Sequence, residues 1–468
     1  MKVSTLKSLI WFLAILLLML SFPIQVKLMS EWPAIFPYLL IGLTFLLPYR
    51  RPADIPKNWV RPQRIEQLIG FYFFLVAFHT SWKVLLGFIS PYQAGTAIFI
   101  YGAPVFFYWY FSRRASLVEI RAVLFAILIA GLVSGVFHAY DNVSKLGSGK
   151  ISEFSKDAIS YSASRGQGGV TFEDSSSMRA QLNYRSFGLL QTHTISSTCT
   201  AFGAFAALAL LPLYRRRTRL VVILAFGFMQ ILGLTFTSIV AFSVTVLMLE
   251  FRLIALVKAR LPKGISRILL MIVFMILIFI VSLSIFFDET MVSYFGKFFT
   301  GQFKLATIGR ENISYMGLLV DYTMEYVHSL FVFPPGLLIG DGYSSFGMIK
   351  GGDVGYIENL ARLGVPLFMG AVIGLFVIVW KVYKNVLKRR EKYLPENVRS
   401  LMLFSANVIL FLLIMELHYT AWSAKPVLPI LFFTLALYGR YLPNKYYRTS
   451  SNANERDNLN VSKIQLQP

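Results

Sequence analysis

The residues whose types and spacing could do chemistry gather between Thr307 and Gly364, the most polar long stretch between two strongly apolar blocks. It opens with Gly309-Arg310. From there Ile313, Met316, Val320, Met324 and Val327 recur at spacings of three and four, which predicts one apolar helix face, with Glu311, Asp321 and Glu325 largely off it. Such a helix is expected to lie along a membrane surface or to cap a bundle. Arg310 at its start adds a full positive charge to the partial one of a helix N-terminus, which makes an anion site. The alternative is a solvated arginine or a contact to a lipid headgroup. A loop broken by Pro334-Pro335 and several glycines follows, in which Asp341-Gly342 reads first as a turn. Asp353 then stands at the mouth of an apolar run, with Tyr356 three residues on and so on the same helix face. Glu358 and Arg362, four apart, are expected to form a structural ion pair. Farther back, Arg185, Gly188 and His193 mark the start of another apolar run. His193 reads either as a polar residue capping that run or as part of a site.

The elements that must position these residues are apolar helices. Of the 468 residues, 56% are hydrophobic and 15% are charged, at a mean hydropathy of +0.61. A soluble chain would carry nearer a quarter charged residues, so an integral membrane protein is expected. A spanning helix needs about 20 apolar residues. On that rule, spans are predicted at about 8–24, 33–48, 67–84, 92–111, 117–138, 190–213, 220–237, 239–257, 268–287, 355–380, 401–418 and 425–442. The first lacks a small-residue cleavage site and reads as an anchor.

Basic clusters fix the expected orientation. Arg50, Arg51, Lys57, Arg61 and Arg64 follow the second span; Arg113-Arg114, Arg215-Arg216-Arg217, Lys258 to Arg267, and Lys381 to Arg390 follow later ones. With twelve spans every cluster falls on one side, the cytoplasmic side by the positive-inside rule, and so do both termini. This places two large polar segments, 139–187 and 288–354, outside the cytoplasm, and both are too long to be simple connectors. The expected architecture is all-α: a single polytopic membrane domain over 1–442 and a disordered cytoplasmic tail over 443–468.

The net charge of +22 is accounted for by those inner loops and tails facing anionic lipid, so nucleic-acid binding is not inferred. The single cysteine, Cys199, excludes an intrachain disulfide, and no CxxC, HExxH or Gly-rich phosphate loop is present.

These features together resemble the bacterial membrane polymerases of the O-antigen polymerase (Wzy) type and the related O-antigen ligases. Arg185-Ser-Phe-Gly188 matches an Arg-x-x-Gly element of that superfamily, and Gly309-Arg310 and Gly340-Asp341-Gly342 match two more. The run from Asp353 through Tyr356 and Arg362 to Gly364 matches an element of the form His-Asn-x-Tyr-Leu-x-x-Leu-x-Glu-x-Gly. Asp353 stands where ligases commonly have His, and Arg362 where Glu is common. The Thr-x-Ser-Arg turn is here Thr235-Phe-Thr-Ser238-Ile239, without its Arg. These departures favour the polymerase over the ligase.

The resemblance implies undecaprenyl-pyrophosphate-linked oligosaccharides as substrates, at the outer face of the cytoplasmic membrane, with a chain-length regulator and a flippase as partners. Arg310, Arg185 and Asp353 are then the expected catalytic residues. Gly309, His193, Tyr356, Asp341 and Gly342 are the expected substrate-binding ones. The arginines would stabilise the departing pyrophosphate, Asp353 first and His193 second would take the proton of the attacking hydroxyl, and Tyr356 would stack on sugar. No metal and no cofactor are expected. Two other classes remain: a lipid-linked oligosaccharide flippase, which predicts charged residues inside spans, and a non-catalytic assembly scaffold.

Overall fold

Apolar runs of this length fold as helices because a bilayer offers the backbone no other hydrogen-bond partners. The computed structural model describes residues 3–28, 32–48, 63–148, 152–164, 189–190, 192–233, 235–251, 315–342, 355–384, 386, 395–417, 421–422 and 424–441. Among them all regular structure is helical. In chain order the helices are α1 (Val3–Met19), α2 (Ser21–Leu28), α3 (Trp32–Leu46), α4 (Gln63–Leu85), α5 (Pro91–Ala97), α6 (Pro104–Arg113), α7 (Leu117–Ser148), α8 (Glu153–Ser164), α9 (His193–Leu210), α10 (Arg216–Leu232), α11 (Phe236–Thr245), α12 (Tyr315–Val332), the single turn α13 (Gly336–Ile339), α14 (Gly355–Val382), α15 (Glu396–Met415) and α16 (Val427–Tyr441). A π turn, Ile98–Gly102, joins α5 to α6 ahead of Pro104, and another, Val246–Glu250, extends α11.

Among the described residues five helices are long and apolar enough to cross a membrane: Ile65–Leu85, Pro91–Arg113, Leu117–Asn142, Gly355–Val382 and Glu396–Met415. The count is six if α1 and α2, bent by 61°, form one span. The structure departs here from the straight span expected over 8–24. Pro23 has no N–H, and its ring would clash with the carbonyl four residues back, at Met19, where α1 ends. The expected ninth span, 268–287, lies outside the described residues, as does the tail.

The expected polar segment after residue 138 begins inside a helix. The helix runs on to Ser148, and α8 follows it. Buried Asp141 ties the two together, its carboxylate accepting from Ser152 N (3.1 Å) and Ser155 Oγ (2.7 Å).

α7 crosses α9 with their backbones in contact. Gly131 and Gly135 form a GxxxG step on α7. A Cβ on Gly131 would lie 2.5 Å from Cys199 O and 2.6 Å from Gly203 Cα, so the two backbones touch. Bulkier packing fills the other side of the bundle, where Trp11 sits edge-on to Phe107 and Phe111.

Polar contacts collect at the two ends of the bundle. At one end Lys7 Nζ donates to Pro48 O (2.9 Å), Arg113 pairs with Glu66 (2.7 Å), and Arg440 donates to the carbonyls of Phe111 and Ala115. Arg219 is held there by Glu250 and by Leu208 O. The other end carries the candidate site.

Candidate functional site

α4 places His79 and Lys83 one turn apart on one helix face, both buried. Against them lies the turn Gly340-Asp341-Gly342 at the end of α13. Lys83 Nζ sits 3.0 Å from Asp341 Oδ1 and donates to Asp341 O at 2.8 Å. The pair is sealed, with side-chain exposures of 0% and 2%. Two charges are tolerated out of water only when they meet each other with good geometry. The backbone at Ile339 and Gly340 hydrogen-bonds the His79 imidazole, whose buried Nε2 has no partner among the described residues.

A break in α14 creates the seat for this turn. Gly364 is non-helical (φ +73°) and Pro366 has no N–H, so the carbonyls of Ala361 and Arg362 lose their helical donors. The turn supplies replacements: Asp341 N donates to Ala361 O (2.9 Å) and Gly342 N to Arg362 O (2.9 Å). The fit requires glycine on both sides. Gly340 has φ +68°, and a Cβ there would lie 2.3 Å from Arg362 O. A Cβ on Gly364 would lie 2.5 Å from Leu338 O. Gly342 (φ +76°) leaves 2.7 Å between its absent Cβ and His79 Cβ.

The first part of α14, residues 355–363, is anchored to the end of α15. Asn359 Nδ2 donates to Glu416 Oε2 (2.7 Å), and Tyr356 N donates to Glu416 O (3.1 Å). Glu416 Oε1 accepts from the backbone N–H groups of Ala421 and Trp422. Glu416 is fully buried just past the end of its span. Burial pushes its carboxyl up to about 8, against the pull of these donors and of Arg362. Glu358 and Arg362 form the expected ion pair. α12 closes one side, with Phe333 just beyond its end stacked on Trp82 of α4 (5.8 Å, 10°) and Tyr326 packed with Ala361.

Asp341 and Gly342 follow α13, and the structure brings them against the 355–364 element. Tyr356 belongs to that element. Its hydroxyl donates to Leu413 O (2.7 Å) and its ring meets Phe368 and Trp422 edge-on. His193 opens α9, but the cap is its neighbour Thr192, whose hydroxyl accepts from Ile195 N (3.2 Å). Arg185, Gly309, Arg310 and Asp353 lie outside the described residues. Four residues of the site went unrecognised in sequence: His79, Lys83, Asn359 and Glu416. The available signal was a Lys and a His inside an apolar span, since an ionisable residue there is costly unless it has a partner or a task.

Among the described residues no three His, Cys, Asp or Glu side chains come together as a metal cluster. No protein-family model matches this chain, and no curated protein matches it in sequence.

Proposed function

We propose that this chain is a polysaccharide polymerase with about twelve spans, lying in the bacterial cytoplasmic membrane. It joins undecaprenyl-pyrophosphate-linked repeat units at the outer face. A hydroxyl of the acceptor sugar attacks the anomeric carbon of the donor glycan, the bond from that carbon to the pyrophosphate oxygen breaks, and the lipid pyrophosphate leaves. Arg310 and Arg185 stabilise the leaving charge, and Asp353 takes the hydroxyl proton. The donor arrives activated, so neither nucleotide nor metal is required.

The observation that carries this reading is the meeting of the Gly340–Gly342 turn with the 355–364 element. These are two of the short motifs on which the family resemblance rests, and backbone hydrogen bonds join them into one unit.

The buried Lys83–Asp341 pair favours a second reading, a lipid-linked oligosaccharide flippase, because carriers use ionisable groups inside spans. The size distribution of surface polysaccharide separates the two. A deletion strain is complemented with wild type, Arg310→Ala, Arg185→Ala or Asp353→Ala at matched protein levels. For a polymerase the long ladder is lost while a single repeat unit is still displayed, with rate losses on the order of 10²–10³ for a charge-stabilising arginine. Repeat units trapped on the inner leaflet would establish the flippase. Long chains left on the lipid carrier would establish a ligase. A normal ladder with every variant would sink the enzymatic reading.

A further inference from the structure

The exposed residues of α7 whose side chains are described form a stripe along one side: Val118, Arg121, Phe125, Leu132, Val133, Val136 and Tyr140. In a spanning helix such a stripe faces lipid, and Arg121 is its one charge. It makes no hydrogen bond or ion pair among the described residues. Its neighbour one turn earlier, Val118, is 59% exposed and the one after it, Phe125, 50%. An arginine on an apolar, outward-facing stripe near a helix end reaches for the interface, where an anion from outside the protein can meet it.

A cavity of about 360 Å³ opens beside it, between α7, the turn 211–215 and the start of α15. Arg121, Tyr214 and Ser400 provide polar walls, and Leu117, Leu124 and Leu210 apolar ones. Arg215, Arg216 and Arg217 follow Tyr214 directly, and all are exposed without side-chain partners among the described residues. The one acid on the cavity wall, Glu396, accepts from Leu213 N (2.5 Å) and leaves the rim strongly positive. This cavity lies at the basic end of the bundle, opposite the Lys83–Asp341 site.

We propose that the cavity holds an anionic phospholipid, with its phosphate on Arg121 and an acyl chain running along the α7 stripe. The chemistry selects a lipid over a free anion. A phosphate alone would satisfy Arg121 but leave the leucine wall and the stripe unoccupied, whereas a phospholipid matches both. This inference rests on α7 spanning the membrane and is independent of the enzymatic reading.

The test uses the purified full chain in detergent micelles, with bound lipid counted by native mass spectrometry. The probes are phosphatidylglycerol, phosphatidylcholine and inorganic phosphate. The expected result is tighter retention of phosphatidylglycerol than of phosphatidylcholine. Arg121→Gln should weaken phosphatidylglycerol by about ten-fold or more, the loss of one charge-assisted contact, and Arg121→Lys should restore part of it. Equal retention of phosphatidylglycerol by wild type and Arg121→Gln would overturn the proposal. So would displacement of the lipid by millimolar inorganic phosphate, which would mark a simple anion site. A photoactivatable acyl chain on phosphatidylglycerol gives a check that needs no variant. In the wild type it should label residues 117–125, and labelling confined to other helices would also overturn the assignment.

Discussion

Separating Lys83 from Asp341 tests whether the Gly340–Gly342 turn is held to α4 by charge. The two groups are 3.0 Å apart and sealed from solvent. At an effective dielectric near 20 their attraction is about 5 kcal/mol, most of it offset by the desolvation of both groups. Removing one partner is worse than removing both, because it strands a buried charge at a cost of about 3–5 kcal/mol. Lys83→Met strands the Asp341 carboxylate and also removes the donor to Asp341 O. Asp341→Asn keeps an acceptor near Lys83 but leaves its charge uncompensated. The double variant carries neither charge. Denaturant titration in mixed micelles gives the four stabilities of the cycle. The expected coupling is at least about 2 kcal/mol, with the double variant more stable than Lys83→Met alone. Additivity within about 0.5 kcal/mol would refute the argument, since that is how independent sites behave.

Three further outcomes follow from the same geometry. Gly364→Ala and Gly340→Ala each place a Cβ within 2.5 Å of backbone. Each should cost about 1–3 kcal/mol and expose the turn to limited proteolysis, and an unchanged digestion pattern would count against the locked turn. Glu416→Gln should be far milder than Glu416→Ala, because a rotated Asn359 amide can offer its buried, unpartnered Oδ1 to the new NH₂ group. The Glu416 carboxyl is raised from 4.5 to about 8, so the fold binds an extra proton between those values. Stability of the wild type should therefore fall as pH rises through that window, and the Gln variant should lack this component, read as melting temperature against pH. Gly131→Leu should force α7 from α9, where the backbones touch, and sharply reduce the folded yield; a wild-type melting temperature would contradict that contact.

The amino-acid sequence by itself determined what depends on neighbours along the chain. Runs of apolar residues specify helices, so most predicted apolar runs within the described residues fall on observed helices, five of them long and apolar enough to cross a membrane. The spacing of Glu358 and Arg362 specifies their pairing, because residues four apart on a helix are adjacent. Gly340 and Gly342 announce a break in regular structure, and both adopt positive φ. Even the bend after Met19 was written locally, in Pro23, though a hydropathy window averages over it.

Only the tertiary structure decided what those elements meet. Lys83 finds its carboxylate 258 residues away, and no local pattern distinguishes it from a lysine reaching for the membrane surface. Glu416 and Asn359 are 57 residues apart in sequence and meet because α14 and α15 pack together. The break at Gly364 looks in sequence like an ordinary glycine before a proline. It becomes a receptor because the fold brings two N–H groups to the two carbonyls it frees. A burial cost can be read from a sequence as a demand for a partner, but the partner is chosen by long-range packing, which has no period along the chain.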